Sequence, residues 1–365
     1  MDKMPKWVDI ALIPFINLLL ALIVSGLVVL YIGENPWTAM KIMVNGAIGS
    51  SYGWGYTLYY ATNFIFTGLA VAVSFQAKLF NIGGEGQAAI GGLGVALVCL
   101  AIPWPHWTLA LPFAILGGAI FGAAWAAIPA YLQAKRGSHI VITTIMFNFI
   151  ASALMVYLLV NVLKKKGSMA PETARFPEGA FLPSAYDMAS TIGLSFSRSA
   201  PLNITFFIAL ICCVLVYILI WRTRLGYQIR AFGQSEPAAA YAGMSPVRIT
   251  MITMLISGGL AGMMGINAVM GEAERLVTDP VQGAGFVGIA VALMGRSHPL
   301  GVLLAALLFG MLYQGGGELE FEIPAVSREM ILVIQALVIL FTGALDNMIR
   351  MPIERFFVRL KKGAA

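Results

Sequence analysis

The sequence predicts an all-α polytopic membrane protein built as a single transmembrane domain, residues 1–365. Of its residues 59% are hydrophobic and only 11% are charged, whereas a soluble domain carries about a quarter charged residues. The mean hydropathy is correspondingly high, at +0.85. Apolar stretches of roughly 17–25 residues, the length that crosses a bilayer as a helix, recur along the whole chain.

About ten such stretches are predicted as transmembrane spans. They are Val8–Ile32, Thr57–Phe75, Glu85–Ala101, Thr108–Leu132, Ile140–Leu163, Asn203–Trp221, Ile249–Met270, Gly283–Met294, Leu300–Tyr313 and Glu329–Leu345. The first is too long for the apolar core of a signal peptide, which indicates a span. The third and eighth are rich in glycine, and the eighth and ninth are short. These are predicted to be broken or re-entrant helices.

Basic residues set the predicted orientation, because lysine and arginine concentrate in cytoplasmic loops. With the N-terminus inside, most of the 23 basic residues fall on the side of the two termini, and the acidic clusters 272–279 and 318–322 fall on the other. We therefore expect a multi-pass membrane protein with both termini cytoplasmic. The positive surplus is explained by this topology, so membrane lipid is an expected partner and nucleic acid is not.

The predicted segments follow this topology. They are a first span with an external segment (1–56), a first repeat (57–163), an external loop (164–202), a cytoplasmic loop (222–248), a second repeat (249–345) and a cytoplasmic tail (346–365). Thr67–Ala70 and Gly258–Ala261 are similar, and each precedes a polar break and a glycine-rich span. The copies would run in opposite directions, and inverted repeats with broken helices are typical of transporters. A bias towards small residues is the alternative explanation. The external loop is expected to be solvated, with an external partner as the alternative.

The cytoplasmic loop carries the signals of a complete short helix, Ser235–Gly243. Ser235 or Glu236 can cap its start, and Pro237 suits its first turn. Gly243 can take the left-handed conformation at its end, and Pro246 prevents continuation. A helix this short is not stable alone in water. It needs a surface, and the central hypothesis is that it docks on a separate cytoplasmic ATPase.

Polar side chains at membrane depth are the candidate substrate-path residues, because they are costly there. The candidates are Asn81, Glu85 and Gln87 near the start of the third span and Thr143, Thr144 and Asn148 in the fifth. Thr144 and Asn148 are four apart and share a helix face. The alternatives are structural: Glu85 and Gln87 would cap the N-terminus of their own helix, and the polar residues of the fifth span would hold helices together. The amides of Asn63 and Asn267 are expected to hold helices together.

The sequence excludes several kinds of chemistry. It contains no Gly-Lys pair and hence no nucleotide-binding P-loop. No arrangement of a nucleophile and a base indicates an active site, and the cysteines and histidines lack metal-ligand spacing. We therefore expect no enzymatic activity, no metal and no cofactor in this chain. The ATP and Mg²⁺ would bind the partner ATPase.

Four motifs together resemble one family. Phe80–Gln87, Thr143–Asn148, Arg230–Gly243 and Ser257–Gly262 resemble, in this order along the chain, the permeases of ATP-binding-cassette (ABC) importers that serve branched-chain amino acids, ribose-type sugars and nucleosides. The first two motifs are most similar to the nucleoside branch. The absence of an acidic residue near His139-Ile140 departs from the pattern of many nucleoside members, which leaves the cargo open.

The resemblance implies a type II ABC-importer fold, a second permease subunit (similar or identical), two ATPase subunits and an extracytoplasmic substrate-binding protein. It also implies that the short helix lies in a groove of the ATPase. The expected coupling residues are Gly233, Ser235, Glu236, Ala238, Ala239, Gly243 and Met244.

Two functions follow from these observations. The first is the permease subunit of an ABC importer for nucleosides or simple sugars. The second is an ion- or proton-coupled secondary transporter in which Glu85 is the titrating group. The second explains a carboxylate at membrane depth but gives the capped cytoplasmic helix no role.

Overall fold

The computed structural model describes residues 8, 12–191, 193, 195–341 and 351–352. Over these residues the chain is helical and contains no β-strand beyond an isolated bridge between Ser184 and Asn203. The α-helices are α1 (Ile13–Tyr31), α2 (Pro36–Ile48), α3 (Ser51–Gln76), α4 (Gly84–Ala101), α5 (Trp107–Arg136), α6 (Ile140–Asn161), α7 (Ala185–Thr191), α8 (Thr205–Arg222), α9 (Arg224–Gln234), α10 (Glu236–Tyr241), α11 (Pro246–Gly265), α12 (Ala284–Met294), α13 (Pro299–Glu322) and α14 (Arg328–Ile339).

The described residues form two compact units. One comprises those of Met1–Ser50 and Met311–Ala365, and the other is Ser51–Gly310. In the first unit, α1 and α2 meet at a bend of 117°. Asn35 caps α2 by accepting from the backbone N–H of Trp37 at 2.9 Å, and Pro36 starts the helix. The segment after the first predicted span, for which the sequence argument gave no secondary structure, is therefore helical over α2, where an Asn-Pro start signal was present.

Glycines let three helices of the second unit pack at very short distance. A Cβ added to Gly262 of α11 would overlap the backbone of Gly118 in α5, and one added to Gly91 of α4 would overlap Gly262. Close contact through small residues is the usual way in which helices associate in lipid. The glycines of α5 and α11, Gly118 and Gly122 with Gly258 and Gly262, thus allow the two helices to pack backbone against backbone.

Replacing Gly262 by alanine is therefore expected to destabilise the protein. The added methyl group meets backbone, which cannot rotate away, and overpacking of this kind costs about 1–3 kcal/mol. The apparent Tm in detergent should fall by several degrees. Gly317→Ala is the matched control: no atom lies within 4 Å of its added Cβ, and alanine is the better helix former, so its Tm should hold or rise. An equal response of the two variants would contradict this packing argument.

The described residues do not confirm the ten predicted spans. Seven described helices are long and apolar enough to cross a membrane, or eight if α1 and α2 form one bent span. The predicted ninth span lies inside the 24-residue helix α13, whereas α12 has only 11 residues. An apolar stretch of sequence indicates only that its residues avoid water. Such a stretch can be a helix that crosses the membrane or a shorter helix packed inside the protein. The predicted tail, 346–365, and the ends of the first and last spans extend outside the described residues.

The predicted external loop is more than a solvated connection. Its backbone N–H groups at Thr173 and Phe176 donate to the carbonyls of Leu276 and Glu274, at 3.1 and 2.8 Å. Arg275 pairs with Glu172 of the loop at 2.8 Å. Phe176 is buried in the apolar core of this unit. The loop therefore packs on the segment that follows a π-helix at Ile266–Ala273, the continuation of α11.

Candidate functional site

The short helix predicted in the polar loop is present as α10. The Ser235 hydroxyl accepts from the backbone N–H of Ala238 at 3.4 Å, and Pro237 lies in the first turn. Gly243 follows the helix with φ +84°, the left-handed conformation that glycine adopts without strain. Ser245 then caps α11 by accepting from the N–H of Arg248 at 3.4 Å. The local signals therefore predicted this helix correctly.

A second amphipathic helix, α9, precedes α10 and was missed. The Thr223 hydroxyl caps it by accepting from the N–H of Gly226 at 3.1 Å. Its buried face carries Ile229, Phe232 and Gly233, and a Cβ at Gly233 would overlap the carbonyl of Gln76 at the end of α3. The signals were a threonine cap and apolar residues three and four apart. This helix attaches α10 to the end of a predicted span.

The predicted coupling residues differ in their exposure. Four of them are exposed, Met244 is half-buried, and Gly233 and Ala239 are buried. The exposed ones are Ser235, Glu236, Ala238 and Gly243. Ala239 is only 4% exposed, so it holds α10 against the chain. Tyr241, which the sequence argument did not select, is 96% exposed. An aromatic ring presented in this way is the type of residue that anchors protein interfaces.

Glu85 joins the starts of two helices. It lies in the first turn of α4, and its two carboxylate oxygens accept from the backbone N–H groups of Gly283 and Gly285, both at 2.8 Å. Gly283 has φ +82° and is the N-cap residue of α12. The carboxylate therefore supplies acceptors to a helix N-terminus, which favours negative charge. The structural alternative proposed for Glu85 was that it caps its own helix, α4. It instead caps α12, whose bonded residues lie about 200 positions away in sequence.

Asn81 and Gln87 bind each other just before and inside α4. The Asn81 amide donates to Gln87 Oε1 and to the Ser257 hydroxyl, each at 2.9 Å. Ser257 in turn donates to the carbonyl of Ala70 at 2.6 Å. Asn81 and Gln87 are both buried, so these bonds satisfy polar groups that water does not reach. The network ties the segment before α4 to α3 and α11.

Asn148 links α6 to the start of α4 and to the segment before it. Its amide oxygen accepts from the N–H of Gly86, and its amide nitrogen donates to the carbonyl of Ile82, both at 2.9 Å. Thr143 and Thr144 instead bond back to carbonyls of their own helix. Thr144 and Asn148 are both buried, as expected of residues on one face. The described geometry thus brings four of the six path candidates together at the start of α4 and leaves the two threonines outside the network.

A second polar cluster links residues that lie far apart in the sequence. The Asn267 amide, in the π-helix, donates to Asn63 Oδ1 at 2.8 Å, and its oxygen accepts from Asn203 at 2.9 Å. The Tyr59 hydroxyl donates to Glu272 at 2.8 Å. The side-chain amides of Asn63 and Asn267 were expected to hold helices together. In the structure they bind each other, and Asn267 also binds Asn203. These residues are 64 to 213 positions apart, so no local pattern could pair them.

Glu85 and Asn148 also reach a cavity of 310 Å³ beside the junction of α4 and α12. Its wall includes Phe149 of α6, Phe286 of α12 and Asp279 of the segment between the π-helix and α12. The N-termini of α4 and α12 meet beside this space through Glu85, and transporters often form their substrate sites at helix N-termini within the membrane. The prediction that the third span is broken is not confirmed, because α4 is a continuous helix of 18 residues. Among the described residues no group of three or more histidine, cysteine, aspartate or glutamate side chains could hold a metal ion.

Comparison with known proteins gives one family. The sequence pattern described as branched-chain amino acid transport system, permease component, matches residues 53–343. The glucose ABC transporter permease protein TsgB13 of Haloferax volcanii is 33% identical over 99% of this chain and 92% of its own length. The guanosine ABC transporter permease protein NupP of Bacillus subtilis is 35% identical over 93% and 95%. The nucleoside ABC transporter permease protein NupB of Lactococcus lactis is 31% identical over 90% of each chain. No solved structure matches.

Proposed function

We infer that this chain, which belongs to the family of branched-chain amino acid transport system permease components, is the membrane-spanning subunit of an ABC importer. Its relatives are named as ABC transporter permeases, and they align with it over nearly their whole length. The observation that carries the proposal is this full-length similarity combined with the exposed, capped helix α10. Such a helix offers a rigid contact for a partner that supplies energy.

The cargo proposed for the chain is a nucleoside or a simple sugar. Two of the relatives are named for guanosine and nucleosides and one for glucose. An external binding protein would deliver the cargo, and a second permease subunit would complete the path. ATP and Mg²⁺ would bind the separate ATPase, since the sequence has no Gly-Lys pair from which a P-loop could be built.

The proposed arrangement in the membrane places α9 and α10 in the cytoplasm, together with both termini. The loop at 164–202 and the segment it covers, 272–279, would face outwards. This orientation follows the distribution of basic residues. We propose the bacterial plasma membrane as the location, with lipid around the exposed apolar faces of α5, α6 and α8.

The secondary-transporter alternative is not supported by the relatives, which are named as ABC permeases. Glu85, its proposed titrating group, has another role in the geometry, because both of its oxygens accept backbone N–H groups of α12.

Uptake is therefore expected to require ATP and to be independent of a proton gradient. Cells that produce the chain with its ATPase and binding protein should retain labelled nucleoside or glucose uptake after a protonophore and lose it after ATP depletion at constant membrane potential. The chain reconstituted alone in liposomes should move neither solute. Transport by the chain alone, or loss with the protonophore at unchanged ATP, would contradict the proposal.

A further inference from the structure

The turn between α12 and α13 has an unusual backbone. Arg296 and Ser297 both adopt the left-handed conformation, with φ of 51° and 52°, although neither is glycine. Two backbone bonds close the turn: the N–H of Arg296 donates to the carbonyl of Leu293 at 2.9 Å, and that of Ser297 donates to the carbonyl of Ala292 at 2.8 Å. Helices that end in this way usually have glycine there, because a side chain is strained in this conformation. Such strain persists only where the surrounding contacts hold the residues in place.

Two helices hold this turn. The side-chain amide of Gln76, the last residue of α3, donates to the carbonyl of Ser297 at 3.0 Å. The ring of His298 lies against the rings of Trp221 and Tyr217 in α8, with centroids 4.9 and 5.8 Å apart. The turn is therefore fixed to the end of α3 by a hydrogen bond and to α8 by aromatic contacts.

The same two helices support α9, which carries α10. The helix α9 follows α8 after a single residue, and a Cβ added to Gly226 in its first turn would overlap the carbonyl of Leu219. Near its other end, a Cβ added to Gly233 would overlap the backbone carbonyl of Gln76. Ser235 ends α9 and caps α10. The main chain of Gln76 thus contacts α9, whereas its side chain bonds the turn after α12.

The turn lies at the far end of the helix whose start is capped by Glu85. The helix α12 has 11 residues, and the N–H groups of Gly283 and Gly285 at its start bind the Glu85 carboxylate of α4. At 1.5 Å per residue α12 is about 16 Å long. A short, continuous helix transmits displacement as a rigid element. A shift of the turn at its C-terminal end is therefore transferred to the contact with Glu85.

We propose that Gln76 is the positioning residue that transfers the movement of α9 and α10 to α12. Its backbone carbonyl receives the contact from α9, and its side-chain amide holds the carbonyl of Ser297. The movement then reaches the place where Glu85 joins α4 to α12. The inference rests on the proposed importer function and makes it more specific, because it assigns the transfer from the ATPase-binding helix to one hydrogen bond of this chain.

The test uses the complete importer in proteoliposomes and measures the ATP hydrolysed per molecule of labelled guanosine or glucose imported. Gln76→Glu keeps the length and shape of the side chain but replaces the amide donor by a carboxylate, which repels the carbonyl of Ser297. It should raise this ratio about tenfold, within the range measured for residues that carry coupling between distant sites. Gln76→Lys supplies a donor again. Its ratio should return towards that of the unsubstituted protein.

Gln228→Glu is the matched control. Gln228 is an exposed residue of α9, so the substitution introduces the same charge on the helix that packs against Gln76 and removes no bond to the turn. Its ratio should stay within about twofold of the unsubstituted protein. Equal increases in Gln76→Glu and Gln228→Glu would assign the effect to charge and overturn the role of the hydrogen bond.

A fluorescent label distinguishes the transfer of movement from a general loosening of the structure. Phe286 lies in the first turn of α12 and is 49% exposed, and the three native cysteines are buried. Bimane attached to Phe286→Cys should therefore change its emission when the ATPase binds ATP. In Gln76→Glu this change should be lost while ATP is still hydrolysed, and in Gln76→Lys it should return. Failure of lysine to restore it would overturn the inference.

The outcomes also separate this inference from the proposed function. ATP-dependent uptake with the same ratio and the same emission change in Gln76→Glu as in the unsubstituted protein would leave the chain an importer subunit and overturn the role of Gln76. Absence of ATP-dependent uptake by the unsubstituted importer would contradict the importer function itself, and the inference would fall with it.

Discussion

Replacing Ala239 by leucine is expected to uncouple ATP hydrolysis from uptake. Ala239 is the buried residue of the six-residue helix α10 and is 4% exposed. A leucine side chain does not fit there, and α10 has too few residues to remain ordered without its contact to the rest of the chain. The helix should therefore lift or fray. At an overpacking cost of about 1–3 kcal/mol, uptake should fall at least tenfold while the ATPase continues to hydrolyse ATP.

The measurement compares ATP hydrolysis and substrate uptake in the same proteoliposomes. Ala124→Leu is the control, because Ala124 is an exposed alanine of α5 far from α10 in sequence, and a larger apolar side chain there faces lipid. Tyr241→Ala is the contrasting variant: it removes the 96% exposed ring without disturbing how α10 lies on the chain. It should reduce the amount of ATPase that co-purifies. Wild-type coupling in Ala239→Leu would contradict the role assigned to α10.

What could be predicted from the sequence depended on the distance over which its signals act. Ser235, Pro237 and Gly243 lie within nine positions, and each has a strong local preference, so α10 was predicted with its correct cap and end. The helix α9 was missed because its polar residues outweigh its apolar face in a hydropathy scan. Its pattern becomes visible only when helical periodicity is applied to Ile229 and Phe232.

The predicted count of ten spans is not confirmed over the described residues, for a related reason. A hydropathy window cannot distinguish a helix surrounded by lipid from a short one surrounded by protein. The helix α12 is apolar throughout, yet it has 11 residues and packs through Gly288 against Thr67 of α3. The glycines of the eighth stretch indicated a short or broken helix, and they were a better guide to the length of α12 than its hydropathy. The proposed inverted repeat remains a prediction.

The candidate site was predicted residue by residue but not as an arrangement. Asn81, Glu85, Gln87 and Asn148 were selected because amides and carboxylates are costly at membrane depth. Asn81 and Gln87 bind each other at a separation of six positions. The other partners are backbone N–H and carbonyl groups and a serine 176 positions away, which no local sequence pattern indicates. The free-energy cost of placing a polar side chain in the membrane therefore identifies the candidate residues. Only the fold shows which groups each of them binds.

Replacing Glu85 by alanine is expected to have the largest effect on the structure around the proposed path. The change leaves the N–H groups of Gly283 and Gly285 without their acceptor. A buried donor without a partner costs about 1–3 kcal/mol, and two are involved. The start of α12 should separate from α4, with a lower Tm in detergent and uptake reduced by more than tenfold. Glu178→Ala, at an exposed glutamate of the loop at 164–202, should change neither quantity.

Glutamine at position 85 distinguishes a cap from a proton carrier, because it keeps the shape of the side chain and one acceptor oxygen but cannot titrate. If the carboxylate holds α12, then Glu85→Gln should lie between the wild type and Glu85→Ala in both Tm and uptake, since one of the two N–H groups keeps an acceptor. If the carboxylate carries protons, Glu85→Gln should retain the wild-type Tm and lose transport completely. If Glu85 is a cap, Tm and uptake decrease together in Glu85→Gln. If it is a proton carrier, only uptake decreases. Measuring both on the same preparation therefore distinguishes the two roles.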